Sequence, residues 1–432
     1  MVSFVPFRAL RPKNELASEV AAPPYDVMNR AEAKEMIEGR PYSILRVTRP
    51  DATLDEEIEM DDPRAYEQAR NALRKLIEEG ILVRDPEPAY YIYAQEMGQH
   101  KQLGVVGLGS AEDYFGGRIK RHEFTLPRKE EDRKRQVQEL GAHIGPVFLT
   151  HEDHQPISDL LRSETQSEPL VNHTSPEGIK HQLWMVTDQQ IILQLQSELE
   201  SLNEFYIADG HHRAAAASRA AQERVLSGDQ DASSGLFLCV AFAASELLVL
   251  PYQRVVHLRG LKPETLLQEL KKRFNISSCD PPQDRSPDLP VLTPAAEKIW
   301  GMYLSGRWYT LTPSNSLTEE IIQRPLTAQL DVSVLQDEVL SPLLGVEDPR
   351  TCAHIEFVGG IRGFRELERR ADSCEGVAFI LYPTSVTELM GIADSGEVMP
   401  PKSTWFEPKL CSGLFANLFD EQQLHREHER GS

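Results

Sequence analysis

The chain has 432 residues, which is enough for two or three domains with their own hydrophobic cores. Its net charge of −21 argues against an extended surface for nucleic acid or anionic lipid, although a local basic pocket remains compatible with it. No apolar run reaches the length of a membrane span, and the five cysteines are scattered without a CxxC pair. We therefore predict a cytoplasmic protein with reduced thiols and with neither a nucleic-acid nor a membrane partner.

Residues 1–258 are predicted to form an N-terminal α/β domain. Near its start, two prolines fix the backbone just before Tyr25 and Asp26, which are candidate substrate-binding residues on an ordered loop, although a rigid structural turn is an equal alternative. Further along, the hydrophobic patterns predict a strand over 43–48, a helix over 64–79 and a hairpin of strands over 89–94 and 102–108.

The stretch after the Gly116-Gly117 turn carries a candidate acid–base pair. His122 and Glu123 place an imidazole beside a carboxylate, an arrangement suited to taking a proton from a hydroxyl. The basic residues around them, including Arg121 and Arg133, are candidates for binding phosphate. The alternative for residues 129–135 is a solvated helix face with ion pairs.

Residues 204–218 predict a strand, a tight turn and a helix. An apolar run over 205–208 is broken by Asp209 and Gly210, and an Ala-rich segment without Gly or Pro follows. The first turn of such a helix carries unpaired N–H groups, so Gly210, His211, His212 and Arg213 are candidates for binding a phosphate. Asp209 would hold Mg²⁺, orient a hydroxyl or cap the helix. The alternative is a capped helix with surface histidines.

The remaining chain is predicted to form an accessory α/β region over 259–350, a C-terminal α/β segment over 351–420 that closes the site, and a flexible tail over 421–432. A proline-rich loop near residue 400 presents candidate anion-binding side chains, with packing through Trp405 and Phe406 as the alternative. The candidates in this loop are Lys402, Ser403, Thr404 and Lys409.

Four motifs in this order resemble the family named domain of unknown function 1015, and they extend over almost the whole chain. They are Ala21–Asp26 (AAPPYD), Arg121–Glu123 (RHE) with Asp132-Arg133, Ala208–Arg213 (ADGHHR), and Pro400–Thr404 (PPKST) with Pro408-Lys409. The family pattern leads us to expect an aromatic residue after Arg213, where this chain has Ala214.

The Asp-Gly-His-x-Arg element is also distantly similar to that of free-serine kinases, which are grouped with ParB-like and sulfiredoxin-like domains. This similarity implies an α+β fold, with a mixed-sheet core, a strand-turn-helix phosphate site and additional α/β segments. It further implies that Glu123 is the base acting on a serine hydroxyl and that Asp209 to Arg213 hold the transferring phosphate.

The resulting hypothesis is phosphotransfer between a nucleotide, ADP or ATP with Mg²⁺, and free serine or phosphoserine. In it Glu123, His122 and Asp209 are catalytic, and Lys402 and Lys409 close over the anion. The alternative is a non-catalytic nucleotide sensor, which needs the phosphate cradle but no base. A nucleic-acid binder and a metal-dependent hydrolase rank lower, and the sequence leaves the phosphate donor, the direction of reaction and homo-oligomerisation open.

Overall fold

The computed structural model describes residues 2–228, 235–281, 294 and 296–425. The contacts within the chain divide it into two compact units. The first unit takes the residues up to Glu246 and those from Pro408 onward, and the second takes Leu247–Glu407. Each unit is built around its own sheet.

The first unit is organised around a large mixed sheet. Most neighbouring strands are antiparallel, but Leu236–Ala243 runs parallel to Val147–His151, and Phe205–Asp209 runs parallel to Ile119–Lys120. In spatial order the strands are Ile119–Lys120, Phe205–Asp209, Val147–His151, Leu236–Ala243, His100–Ser110, Tyr90–Met97, Lys180–Val186 and Val171–Thr174, with Phe4–Val5 also on His100–Ser110. Two small ladders pair Leu10–Pro12 with Leu82–Arg84 and Ala142–His143 with Asn417–Leu418.

Helices cover this sheet and form a second buried cluster beside it. The main core lies between the sheet and helices that include Gln189–Ser201 and His211–Leu226, while the second cluster surrounds helix Pro63–Glu78. An apolar stripe on Pro63–Glu78, which includes Ala69 and Leu73, is fully buried. The α-helices of the unit are Ala17–Val20, Arg30–Ile37, Leu45–Thr48, Pro63–Glu78, Ala111–Phe115, Pro127–Leu140, Gln155–Glu164, Gln189–Ser201 and His211–Leu226.

The second unit contains an antiparallel sheet with its own core. Its strands lie in the order Phe274–Cys279, Arg307–Pro313, Trp300–Leu304, Gly376–Ile380, Tyr252–His257 and Ile355–Gly359, and a separate ladder pairs Leu248–Leu250 with Trp405–Glu407. Its helices are Pro263–Leu270, Asn315–Ile322, Leu326–Gln329, Asp331–Leu335 continuing as π-helix over Gln336–Leu340, Ser341–Leu344, Gly363–Ser373 and Val386–Asp394.

The α+β class with a mixed sheet is confirmed. The predicted strand over 43–48 is wrong, because Leu45–Thr48 is a turn of α-helix. Leu45, Val47 and Thr48 are all buried there, and the Val47 carbonyl accepts a hydrogen bond from Gln136 Nε2 at 3.1 Å. Packing among helices therefore overrides the strand preference of the β-branched side chains.

The domain boundaries stay a prediction, although the two units give a different description. Residues 259–350 and 351–420 both supply strands to the sheet of the second unit, as does Tyr252–His257 from before the predicted boundary. Residues 426–432 of the predicted tail lie outside the described residues. None of the helices that the structure describes is both long enough and apolar enough to cross a bilayer.

Candidate active site at the Asp209-Gly210 turn

The predicted strand, turn and helix are present, with Phe205–Asp209 as the strand and His211–Leu226 as the helix. The pairing of the strand with Val147–His151 shifts register between Ile207 and Asp209, so the sheet is irregular just before the turn. Gly210 has φ +89°, a left-handed conformation that favours glycine. No side chain caps the helix, which leaves its first N–H groups directed at the space beside the turn.

The Arg213 side chain lies directly under this turn. It is 9% exposed, and Nη1 donates a hydrogen bond to the Pro146 carbonyl. Nη2 lies 3.3 Å from Oδ2 of Asp209 and 4.0 Å from Oδ2 of Asp26. Burial would lower the pKa of Arg213, but the two carboxylates outweigh it and the net shift is upward. The guanidinium is therefore a fixed cation shared by the loop of Asp26 and the turn of Asp209.

Lys409 reaches the same turn from 200 residues away in the sequence. Its Nζ lies 3.5 Å from Oδ2 of Asp209, so this carboxylate faces two cations. Burial alone would raise the pKa of Asp209, but Lys409 and then Arg213 bring it well below its usual value. Asp209 is consequently an ionised acceptor and not a proton donor near neutral pH.

The backbone around Lys409 is held by buried polar side chains of the sheet. Gln95 donates through Nε2 to the Lys409 carbonyl at 2.9 Å, and Gln95 in turn accepts from Gln102 at 2.8 Å. The hydroxyl of Tyr93 accepts the N–H of Cys411 at 3.2 Å. These contacts fix the position from which Lys409 extends toward Asp209.

The loop carrying Glu123 is attached to the start of the helix by the two adjacent histidines. Nε2 of His211 accepts the backbone N–H of His122 at 3.5 Å, and Nε2 of His212 accepts that of Leu126 at 3.0 Å. The rings of His122 and His211 also meet edge to face with centroids 4.4 Å apart. The predicted phosphate contacts of these histidines stay a prediction, since the Nε2 atoms of His211 and His212 are engaged by backbone.

Glu123 lies at the open side of this loop. Its Oε2 is 3.9 Å from Nδ1 of His211, and the carboxylate side chain is 40% exposed. Burial lowers the pKa of His211 well below its usual value, so the ring is neutral near pH 7. With Nε2 accepting a hydrogen bond, Nδ1 is the protonated nitrogen of the neutral ring. The distance of 3.9 Å is too long for a hydrogen bond, so the carboxylate lies near the imidazole and stays accessible.

His122 itself is buried, with 2% exposure, and burial lowers its pKa to about 4. The neutral ring packs against His211 beneath the loop. Arg121, one residue earlier, is exposed and interacts with the hydroxyl of Tyr114. Of these three consecutive residues, Glu123 is the one that has a carboxylate, and this side chain is 40% exposed beside His211.

Tyr25 and Arg133 are brought together beside Arg213. The Arg133 guanidinium lies 4.5 Å from the centroid of the Tyr25 ring. Its Nε and Nη2 bind Asp132 at 2.9 and 2.7 Å, and its Nη1 binds Gln136 at 2.6 Å. Burial is the main cause that raises the pKa of Tyr25 to about 12, so its hydroxyl keeps its proton. Phosphate binding by Arg133 stays a prediction, because most of its donors already have protein acceptors.

Lys402, Ser403 and Thr404 belong to the second unit. Lys402 has φ +60°, and its Nζ lies 5.1 Å from the centroid of the Tyr252 ring. Ser403 donates to the Pro400 carbonyl at 2.6 Å. The predicted anion-binding role of all three residues stays a prediction.

The charges at the turn bear on the predicted Mg²⁺ site. Two cations, Arg213 and Lys409, face two carboxylates, Asp26 and Asp209, so the cluster is already balanced. Within the described residues, no group of three or more His, Cys, Asp or Glu side chains could hold a metal ion. A divalent cation at Asp209 would also be repelled by Arg213 and Lys409. These residues do not fit a resident Mg²⁺ site on the protein alone.

Several residues that shape the site were not identified from the sequence. Gln95 and Tyr93 lie on strand Tyr90–Met97 and position the Lys409 segment, while Pro146 and Ser412 lie beside Arg213. Strand residues and a serine in a loop carry no local signal of this kind. Gln95 is a polar residue that follows a run of apolar and aromatic residues in this strand, and its burial in the structure accounts for its positioning role.

Comparison with solved structures gives distant likenesses. A mutant free serine kinase in complex with ADP is 14% identical over 69% of this chain and 86% of that chain, with a TM-score of 0.32. SbnI with a C-terminal truncation, from Staphylococcus aureus, is 14% identical over 74% and 92%, with a TM-score of 0.36. A conserved hypothetical protein from Pyrococcus furiosus is 14% identical over 70% and 91%, with a TM-score of 0.30. Likenesses at this level carry no argument about activity.

Among curated proteins no match to the sequence was found. The model of one protein family does match, and it extends over residues 4–333, which is more than half of the chain. The match includes three of the four motifs, from Ala21–Asp26 to Ala208–Arg213. It confirms the resemblance inferred from those motifs: the chain belongs to the family described as protein of unknown function (DUF1015).

Proposed function

We propose that this protein transfers a phosphoryl group between a nucleotide and the hydroxyl of a small substrate, with free serine or phosphoserine as the substrate. The observation that supports this most is the convergence of Arg213 and Lys409 on Asp209 at an uncapped helix start, with Glu123 accessible on the adjoining loop. Phosphoryl transfer depends mainly on positioning and charge stabilisation, and this turn offers both.

In the proposed reaction, the substrate hydroxyl oxygen forms a bond to the terminal phosphorus of the nucleotide. The bond between that phosphorus and its bridging oxygen breaks, and the electron pair leaves with the shortened nucleotide. Glu123 accepts the hydroxyl proton, and Nδ1 of His211 lies 3.9 Å from its carboxylate. In the reverse direction Glu123 returns the proton to the serine oxygen.

Arg213 and the first N–H groups of helix His211–Leu226 would face the charge that develops on the phosphoryl oxygens. Nζ of Lys409 lies 3.5 Å from Asp209, which places its positive charge beside the turn where the phosphate would bind. Asp209, held ionised by these cations, would keep Arg213 and Lys409 in place beside the phosphate and leave the single hydroxyl proton to Glu123.

The charge balance of the turn explains how Mg²⁺ would take part. A nucleotide brings several negative charges to a cluster whose two cations are already balanced by two carboxylates. It would therefore enter together with its own counter-ion. Mg²⁺ supplies charge neutralisation on the phosphates when it is bound with the nucleotide. The protein residues named here would bind the phosphates, orient the substrate and move the proton.

The test compares matched variants in a transfer assay with serine or phosphoserine and a nucleotide. Glu123→Gln removes the base but keeps the size of the side chain, and we expect transfer to fall at least about a hundredfold. Glu87→Gln is the control, because Glu87 is an exposed glutamate in the same unit. Arg213→Lys keeps the charge but loses the forked donor and should also lose about a hundredfold, whereas Arg365→Lys, at an exposed arginine, should be neutral.

Nucleotide affinity of the same variants separates the two candidate functions. For a phosphotransferase, Glu123→Gln lowers transfer while nucleotide binding stays close to that of the wild type. If wild-type protein binds nucleotide and moves phosphate to or from none of the tested hydroxyl compounds, the sensor function replaces this proposal. Full transfer by both Glu123→Gln and Arg213→Lys would show that the assigned residues are wrong.

A further inference from the structure

A small cavity is lined in part by the Arg213 side chain. It has a volume of about 50 Å³ and lies entirely within the first unit. Its polar lining includes Tyr25, Arg133, Arg213 and Ser412, together with Thr48, Gln136 and His143, and most of the other lining residues are apolar. We call it the Tyr25 cavity. A water molecule needs roughly 10–15 Å³ of such space, so the cavity has room for about three to five waters or for a ligand of similar size. A nucleotide is too large for it.

The cavity is lined by side chains that carry hydrogen-bond donors. Nε of Arg213 is buried and has no hydrogen-bond partner in the part of the chain that the structure describes. The side chains of Tyr25 and Ser412, which carry hydroxyl groups, also line the cavity. A buried donor without an acceptor destabilises the folded state, so a ligand with acceptor oxygens would be stabilised here.

The charges favour a single negative charge over a phosphate. Arg133 is paired with Asp132 at 2.7 Å, and Arg213 has Asp209 at 3.3 Å and Asp26 at 4.0 Å. The cavity therefore offers donors but little surplus positive charge, which suits a carboxylate and would leave a phosphate dianion poorly compensated. Apolar residues such as Leu140 and Ala216 also line the cavity, which limits the number of charged groups that it can hold.

We propose that the Tyr25 cavity binds the carboxylate of the small hydroxyl-bearing substrate. The assignment of this ligand as a substrate rests on the proposed function, whereas the binding of a small carboxylate does not depend on it. Arg213 connects the two places, because its side chain lines the cavity while its Nη2 faces Asp209. A short hydroxy acid held there would have its hydroxyl within a few bonds of the turn where transfer is proposed.

The first experiment measures binding of L-serine and of L-serinamide, which lacks the carboxylate, to the wild-type protein by ligand-observed NMR. We expect serinamide to bind at least about tenfold more weakly, because it loses a charge-assisted hydrogen bond. The second compares two variants of one cavity residue. Ser412→Leu fills the space and should weaken serine binding at least about tenfold, while Ser412→Ala removes only the hydroxyl and should cost about threefold or less. Nucleotide affinity should stay within about twofold in both, because the cavity is too small for a nucleotide.

The outcomes separate this proposal from the proposed function. One outcome is that Ser412→Leu fails to bind serine, the wild-type protein fails to bind serinamide, and no phosphate is transferred. This outcome would support the cavity and overturn phosphotransfer. Transfer to serinamide as fast as to serine, with Ser412→Leu unaffected, would overturn the cavity and leave phosphotransfer intact. If Ser412→Leu fails to fold, the comparison of serine with serinamide on the wild-type protein still shows whether the carboxylate contributes to binding.

Discussion

Substituting Gly210 by alanine tests whether the geometry of the turn matters for the proposed chemistry. Gly210 has φ +89°, and a Cβ there would lie 3.0 Å from Cζ and Nε of Arg213 and 3.1 Å from Nη2. Gly228 provides a matched control, because it has φ +88° and a Cβ there would meet no atom of the described residues within 4 Å. Both substitutions impose the same backbone strain, and only one presses on the guanidinium.

The strain of a left-handed alanine is about 1–2 kcal/mol, so both variants should lose about that much free energy of unfolding. Gly210→Ala should in addition displace Arg213, whose Nη1 is held by the Pro146 carbonyl. A shift of this kind in a charge-stabilising group costs about a hundredfold in rate, equal to about 2.7 kcal/mol in activation free energy. Gly228→Ala should retain the wild-type rate.

The free energies of unfolding come from urea titrations, and the rates come from transfer between nucleotide and serine under identical conditions. The difference between the two variants isolates the contact with Arg213 from the strain that they share. Equal transfer rates for Gly210→Ala and Gly228→Ala would refute the role given to the position of Arg213.

Three further predictions concern charge and pH. Burial lowers the pKa of His122 to about 4 and of His143 and His181 to about 3, whereas the unfolded chain protonates histidine near 6.5. The unfolded state therefore binds more protons below about pH 6.5, and the free energy of unfolding should fall with falling pH from there to about pH 4 by up to about 1.4 kcal/mol per unit for each histidine. Urea titrations across this range check it, and a His143→Gln variant with an unchanged slope would contradict it. Lys409→Met should raise the pKa of Asp209, which burial already pushes upward against Lys409 and Arg213, and Lys101→Met at an exposed ion pair should not. Carbon NMR titration of the Asp209 carboxyl measures the shift, and an unmoved titration would show that Lys409 does not act on it. Mg²⁺ alone should leave the melting temperature unchanged, whereas Mg²⁺ with nucleotide should raise it; a rise with Mg²⁺ alone would reveal a resident metal site.

The local part of the site could be predicted because it lies within one continuous segment. The apolar run before Asp209, the glycine and the Ala-rich helix each carry a short-range signal, and the structure has the same order of strand, turn and helix. Hairpin Tyr90–Met97 with His100–Ser110 was predictable for the same reason, since the turn residues stand between two strand-forming runs.

The rest depends on contacts between distant parts of the chain. That Lys409 lies at Asp209 follows from Gln95 and Tyr93 holding its segment, and no local pattern encodes those pairings. The engagement of both His211 and His212 by the Glu123 loop was also unforeseen, because spacing alone does not reveal which ring nitrogen meets a backbone N–H. The helical turn Leu45–Thr48 was missed since packing decides it.

The central claim is that phosphate moves between a nucleotide and a serine hydroxyl at this turn. The most direct measurement is phosphorus NMR of the wild-type protein incubated with L-serine and ATP or ADP, and separately with phosphoserine, in the presence of Mg²⁺. We expect the phosphoserine signal to grow or decay, and we expect Glu123→Gln to abolish the change. Nucleotide that binds while every phosphorus signal stays constant would contradict the claim and leave a nucleotide-binding sensor in its place.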